Sequence, residues 1–357
     1  MYPLEHQLIM EIRDATPYDN DQLIELQKMS PMGRALIIQL DGSPDYFNRS
    51  RGYKDWHVIV AEENGNILGT AAYTVQDKEL KGETVSMVYE YSLMVHPDAR
   101  RRGIASTLHT EIEDRNPDVD YLHLNITEDN IESGAFFTKM GFTPVRSCAV
   151  NMLMAYKEFK TNPYTIRPMK EGDIPVVVDL INETYKGYEL FSPFTEDSFL
   201  DHYSLLPFFD MGDLYVYEDG TIRAVAGLWD YNKVMSITIL GYDFTRNLMR
   251  QAVNFLGRLF AMPSLPNIGE AMSNGYLTPL AYSDPGAAKQ LLLHIMNIAR
   301  TKDIGLVSAV LDRQSHVSEL FNNIMKVDGG FTKYIKPISA KSIPELGEKL
   351  FIDVKDV

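Results

Sequence analysis

The sequence predicts an α/β protein built of two tandem mixed-sheet domains, and three observations lead there. Its 357 residues exceed what one small core organises, and 45% of them are hydrophobic, enough for two buried cores. Hydrophobic spacing alternates along the chain between the strand period of two and the helical period of 3.6. The second half also repeats the first in outline. "YTIRPMKEGDIPVVVDLINETY" parallels "IMEIRDATPYDNDQLIELQKM", each a strand with an Ile-Arg pair, a polar turn and a helix. "DLYVYEDGTIRAVAGLWDY" parallels "HVIVAEENGNILGTAAYTV", each two strands around an acidic-glycine turn. The polar stretch around Pro163 sets the boundary, giving domains 1–160 and 161–357.

In the first domain "IMEIRDA" is a strand, and "DNDQLIELQKM" a helix with Leu23, Leu26 and Met29 on one face. "WHVIVAEENGNILGTAAYTVQ" is two strands joined at Asn64-Gly65-Asn66, and "TVSMVYEYSLMV" a central strand stopped by His96-Pro97. From Arg102 the period becomes helical, with Ile104, Leu108 and Ile112 in a stripe. "YLHLNI" is a strand, "NIESGAFFTKM" a helix and "GFTPVRSCAVNMLMAYKEF" a terminal hairpin.

In the second domain "TRNLMRQAVNFLGRLFAMP" is an added helix carrying Phe255, Leu259 and Phe260. It precedes a strand at "GYLTPLAYS" and a helix from "DPGAAKQ". "IGLVSAVLD", "SHVSELFNNIMKV" and "GGFTKYIKPI" read as strand, helix and strand. The residues from Ser339 are a strand pair or a docked tail.

Composition excludes several classes. A formal net charge of −15 opposes attraction to nucleic acid or an anionic membrane. The single cysteine, Cys148, forms no intrachain disulfide and no thiolate cluster, and its apolar strand pattern marks it as a core residue. Scattered histidines without HExxH spacing give no metal site, and no GxSxG supports a serine hydrolase. No apolar run approaches the roughly 18 residues of a membrane span, and the N-terminus lacks a signal-peptide pattern, so a cytoplasmic protein is expected.

Against that acidic background, "VHPDARRRGIAS" is a local knot of positive charge between a strand and a helix. The first helical N–H groups lack intrahelical partners, and Gly103 lets backbone approach a bulky ligand. Arg102, Gly103, Ile104, Ala105 and Ser106 therefore offer amides to a phosphate or diphosphate, with charge from Arg100 or Arg102. An ordinary strand-to-helix connection with solvated arginines is the competing reading. Neither GxxxxGK[ST] nor GxGxxG is present, so the anion is held by neither a P-loop nor a dinucleotide fold.

Residues 8 to 160 resemble the GCN5-related N-acetyltransferase (GNAT) superfamily. Val95-His96-Pro97 followed by Arg100-Arg101-Arg102-Gly103-Ile104-Ala105 is similar to its Arg/Gln-x-x-Gly-x-Gly/Ala pyrophosphate motif. "NIESGAFFTKMGF" is similar to its downstream segment ending in Gly-Phe. The resemblance implies two tandem GNAT-like, acyl-CoA N-acyltransferase domains, with acetyl-CoA as cosubstrate, no metal, and an amine as acceptor. Leu93, Met94 and Val95 would then offer backbone bonds to the acetyl carbonyl and pantetheine, and Arg100 to Ser106, Arg101 included, would hold the pyrophosphate. Asn130 would approach the cofactor, and strands splayed after Val95 and Asn125 would admit the pantetheine.

Glu90, a few residues before the strand end, is the general-base candidate, directly or through water. In a regular strand it shares a face with Ser92, while Tyr89, Tyr91 and Leu93 share the other; a bulge would change this, and Tyr89 and Tyr91 are candidate substrate contacts or packed strand aromatics. Many family members carry a tyrosine where this chain has Phe137, which packs against pantetheine but donates no proton. In the second domain Gly286-x-Ala288 echoes the motif, yet Ser283 stands where the first domain has Arg100. Helix capping by Ser283 or Asp284 before Pro285 explains that string, and Asp284 would repel a diphosphate. The second domain is thus expected to be degenerate, completing the acceptor cleft or an interface. A noncatalytic CoA-binding module and a structural dimerisation protein, or homodimer, are the alternatives.

Overall fold

Turn chemistry and alternation set out the first half. The computed structural model describes residues 10–162, 164–260, 265–340 and 342–357; side chains 256–260, and with them those of Leu259 and Phe260, lie outside that description. The first half runs β1 (Glu11–Asp14), α1 (Asn20–Lys28), β2 (Leu36–Asp41), β3 (Trp56–Glu63), β4 (Asn66–Leu80) and β5 (Glu83–Val95). It continues through α2 (Ile104–Arg115), β6 (Tyr121–Thr127), α3 (Ile131–Lys139) and β7 (Thr143–Met154). Asn64 and Gly65, at φ 55° and 79°, join β3 to β4 as a two-residue hairpin of this hand requires. Helix α1 buries Leu23, Ile24 and Leu26, whereas Met29 falls at its C-cap and is exposed. Helix α2 buries the Ile104, Leu108 and Ile112 stripe, together with His109.

The second half runs β8 (Ile166–Pro168), α4 (Ile174–Tyr185), α5 (Glu196–Ser204), β9 (Leu214–Asp219), β10 (Thr221–Trp229) and β11 (Ser236–Tyr242). Then follow α6 (Phe244–Phe260), β12 (Ala271–Met272), β13 (Asn274–Tyr282), α7 (Pro285–Thr301), β14 (Leu306–Asp312) and β15 (Lys326–Pro337). Helix α7 opens as its sequence predicts, with Asp284 accepting from the Ala287 amide at 2.7 Å. The expected helix at 315–327 is instead a short 3-10 turn, His316–Phe321. Asn323, at φ 64°, ends that turn and sends the chain directly into β15.

All strands but β2, β11 and β12 form one twelve-stranded sheet, ordered β1-β3-β4-β5-β6-β15-β7-β14-β13-β10-β9-β8. The halves exchange their last strands. β15 pairs antiparallel with β6 over Phe331–Pro337, and β7 pairs antiparallel with β14 over Cys148–Met154. The expected terminal hairpin is accordingly one 12-residue strand, because β15 and β14 flank it on both sides. Alternating hydrophobicity marks a strand but does not name its neighbours. A small sheet, β12-β11-β2, also joins the halves.

Helices cover both faces. In the first half α2 and α3 pack on one face around Val88, Leu108, Leu122 and Phe137, and α1 on the other around Val60, Tyr89 and Tyr91. Cys148 is fully buried in β7, where desolvation pushes its thiol up to about 12, as befits a core residue.

The repeat seen in the sequence reappears as chemistry. Arg13 holds Asp19 through both terminal nitrogens and Glu62 through Nε at 2.6 Å, and Arg167 holds Asp173 and Glu218 in the same way. Hydrogen bonding from Arg13 holds the Asp19 carboxyl down to about 2, against 3.8 ordinarily. A carboxyl lowered this far contributes about 2 kcal/mol at neutral pH. That contribution is complete above the unfolded value and disappears as pH falls from about 4 to about 2. Asp19→Asn should therefore lower the melting temperature at pH 7 and lose most of its effect by pH 2. A pH-independent difference between variant and parent in thermal unfolding would refute the coupling.

Candidate active site

The centre of the first half is a strand that bends and parts from its neighbour. Opposite β4, Thr70 pairs with Met94 but Ala72 with Tyr91, so β5 carries an extra residue, and Ser92 takes φ 53°. The bulge resets the alternation. Val88, Leu93 and Val95 face α2 and α3, while Tyr89, Tyr91 and Met94 face α1. Leu93 therefore leaves the face that a regular strand would share with the tyrosines. On its other edge β5 pairs in parallel with β6 only from Met87–Tyr121 to Tyr89–His123. Beyond that pair the strands diverge, earlier than the Val95 and Asn125 positions expected from the sequence. The β6-facing backbone groups of Leu93, Met94 and Val95 thereby have no ladder partner.

β5 leads through His96-Pro97 into the arginine-rich turn. Arg101 sits at φ 66° and Gly103 at φ 84°, where Gly103 is the N-cap of α2 with no side-chain cap. Among the described residues, no acceptor reaches the backbone N–H groups of Arg102, Gly103, Ile104, Ala105 or Ser106. A Cβ on Gly103 would meet only Ser106 Oγ, at 3.8 Å. Arg102 is engaged by Glu63 at 2.6 Å, leaving Arg100 and Arg101 as the exposed cations of the turn without an acidic partner among the described residues. Five converging amides, two such cations and an open approach fit a diphosphate. The corresponding place in the second half is closed, because Asp284 occupies its own helix start.

The other expected residues are held by packing. Asn130 caps α3, accepting from the Ser133 amide at 3.3 Å. Phe137 is buried against Phe136, Phe142 and His109. Glu90 is 2% exposed and turned toward α2, its Oε2 2.7 Å from Nδ1 of the buried His109. It is the first residue of β5 past the last pair with β6, and its Oε1 is buried without a partner among the described residues. The strand itself separates this carboxyl from the tyrosine face.

That face is where the sequence fell short. Tyr89 and Tyr91 stack at 5.3 Å, with Tyr53 over both and His123 against Tyr89 at 5.0 Å. The exchanged strand β15 brings Lys333 to 3.1 Å from His123 Nδ1. Burial first, and Lys333 second, hold His123 well below its ordinary value, leaving a neutral ring at pH 7. Arg49 lies over the Tyr91 ring, 5.1 Å from its centroid. The residues after Leu350 form a docked tail, in which Tyr89 and Asn125 donate to the Asp356 carbonyl and Tyr53 to that of Lys355. Tyr89 and Tyr91 were legible as candidate contacts. Arg49, Tyr53 and Lys333 were not, lying in unpatterned connections or in a strand whose partner periodicity conceals; the docked tail was one of two readings of the residues from Ser339, without its place at this face.

Among the described residues no three His, Cys, Asp or Glu side chains converge as for a metal ion, and no helix is long and apolar enough to cross a membrane.

A bulged, parted central strand feeding an uncapped helix start defines an acyltransferase unit of the GNAT type. Residues 23–142, about a third of the chain, match the Acetyltransferase (GNAT) family. The whole chain shares its fold with Saccharomyces cerevisiae N-myristoyltransferase with bound myristoyl-CoA, at TM-score 0.61 and 16% identity, covering 97% of this chain and 89% of that one. A GCN5-related N-acetyltransferase from Sphaerobacter thermophilus superposes at TM-score 0.55 and 14% identity, covering 92% and 96%. A glucosamine N-acetyltransferase region of a fungal multi-domain β-N-acetylglucosaminidase does so at 0.60 and 13%, covering 93% of this chain and 38% of that one. No curated protein matches the sequence.

Proposed function

We propose that this GNAT-fold N-acyltransferase carries acetyl from acetyl-CoA to an amine, with the cofactor's diphosphate on the Arg102–Ser106 amides. The observation that carries the reading is the conjunction of that open cradle with a central strand whose end has lost its ladder partner. Bound acyl-CoA supplies the thioester carbonyl, at which the amine forms a C–N bond while the C–S bond breaks and CoA leaves as the thiol. The β6-facing amides in the Leu93–Val95 stretch lie where they can donate to the carbonyl oxygen as charge develops there.

Glu90 takes the amine proton through water standing in the strand opening. Its Oε2 is anchored by His109, and its free Oε1 lies at the level where β5 and β6 separate. Glu90→Gln should lower kcat at least about tenfold with CoA affinity unchanged. An unchanged kcat from pH 6 to 9 would remove the residue from the proton path. The second unit, 161–357, completes the acceptor side, since its tail and Lys333 both reach the tyrosine face. The cytoplasm is the compartment this chemistry implies.

The test is thiol release from acetyl-CoA across an amine panel, with myristoyl-CoA as the competing donor. Faster transfer from the long acyl chain would displace acetyl from the reading. A second reading, CoA binding without transfer, draws on Phe137, which puts no proton donor at the departing sulfur. Calorimetric CoA binding with no release from any amine would favour that module.

A further inference from the structure

Most of the partly buried arginines of this chain have an acid. Arg13 has Asp19 and Glu62, Arg115 has Asp14 and Glu111, Arg146 has Asp312, and Arg167 has Asp173 and Glu218. Arg49 has none among the described residues, in a chain with fifteen more acidic than basic side chains, 49 against 34. Its guanidinium rests on Tyr91, and Nη2 lies 3.4 Å from the Tyr89 hydroxyl. Nε is buried with no acceptor at all among the described residues. A shielded guanidinium with a free edge is costly unless an anion meets it.

The surroundings show which kind. Among the described residues, Tyr46 Oη, Gln76 Oε1, Asn125 Oδ1 and His123 Nε2 are also buried without partners on or beside this face. Tyr53, Tyr89 and Tyr91 form the aromatic walls beside Arg49. The unpartnered Nε and the Nη2 on the same edge, which has only its 3.4 Å contact with Tyr89, present two parallel N–H donors, the fork that a planar carboxylate matches side-on. Aromatic walls around Arg49 suit a small organic acid. Lys355, over the Tyr53 ring at 5.3 Å, and Lys333, beside His123, are the other cations of this face.

We infer that the acceptor is a small amine that also bears a carboxylate, held by Arg49 while its amino group lies at the opening between β5 and β6. This deepens, and rests on, the transferase reading given above. Arg49 acts as a specificity residue and takes no part in bond making.

The test pairs each amino acid in a panel with its primary amide, so that only the carboxylate changes. The expected kcat/KM ratio of acid to amide is at least about 30-fold. Arg49→Gln should carry that ratio toward one, mainly through KM for the acid, and Arg49→Lys should restore part of it. Equal use of acid and amide by the parent protein would overturn the inference while leaving the transferase intact. So would an acid preference that survives in Arg49→Gln. A preference for the matched aminophosphonate over the amino acid would overturn the carboxylate assignment. Where no amine turns over, the acids are titrated by calorimetry into CoA-saturated protein. Binding that Arg49→Gln abolishes supports the carboxylate site although the transferase reading has failed, and absence of binding refutes both.

Discussion

Gly103→Glu is expected to weaken CoA binding at least about 100-fold, close to 3 kcal/mol, with thermal unfolding shifted by only a few degrees. Two effects add. Gly103 sits at φ 84°, a conformation that costs a residue with a Cβ about 1 to 2 kcal/mol. The new carboxylate would also stand among the five free amides where the diphosphate is expected. A Cβ at this position meets only Ser106 Oγ at 3.8 Å, so steric disruption of the fold is small and the effect falls on the ligand. Titration calorimetry with CoA reads the first quantity and differential scanning the second. Unchanged affinity would take the diphosphate off this turn, and with it the anchor of the proposed chemistry.

The second large effect concerns the exchanged strands. Residues 1–160 produced alone should give no cooperatively folded protein, and co-expression with 161–357 should recover a CoA-binding complex. Without the second half, β6 keeps only its three pairs with β5 and loses seven with β15, and β7 loses both neighbours. Phe331 and Ile335, buried at 2% and 0%, also leave the cluster that encloses Met87 and Cys148. Two long unpaired edges with apolar faces are templates for aggregation. A fragment that unfolds cooperatively and binds CoA as tightly as the whole chain would show that the first half closes its own sheet.

Local signals in the sequence were read well where the residues themselves impose the structure. Asn64-Gly65 dictates its hairpin, the Ile104, Leu108 and Ile112 stripe dictates the buried face of α2, and Asp284-Pro285 dictates the start of α7. The turn from Arg100 to Ser106 was legible for the same reason, since a glycine at positive φ before a helix creates the amides. What was hidden depends on partners far along the chain. No spacing within residues 143–154 says that β15 and β14 will flank them, and β2 and β11 meet across two hundred residues. The bulge at Ser92 is visible only in pairing, and it decides which side chains of β5 face the tyrosines. Arg49 belongs to an irregular connection with no periodicity to reveal that it ends over Tyr91 without an acid.

Because the last strand of each half is stitched by main-chain bonds into the other, the molecule has no hinge about which its halves could swing. A substrate cannot be received by a gaping of the two units, as in enzymes whose domains meet through side chains alone. The 42–53 connection and the docked tail, which border the tyrosine face, lie outside the twelve-stranded sheet. A bond tying one to the other would therefore test whether substrate passes between them without touching a reacting group.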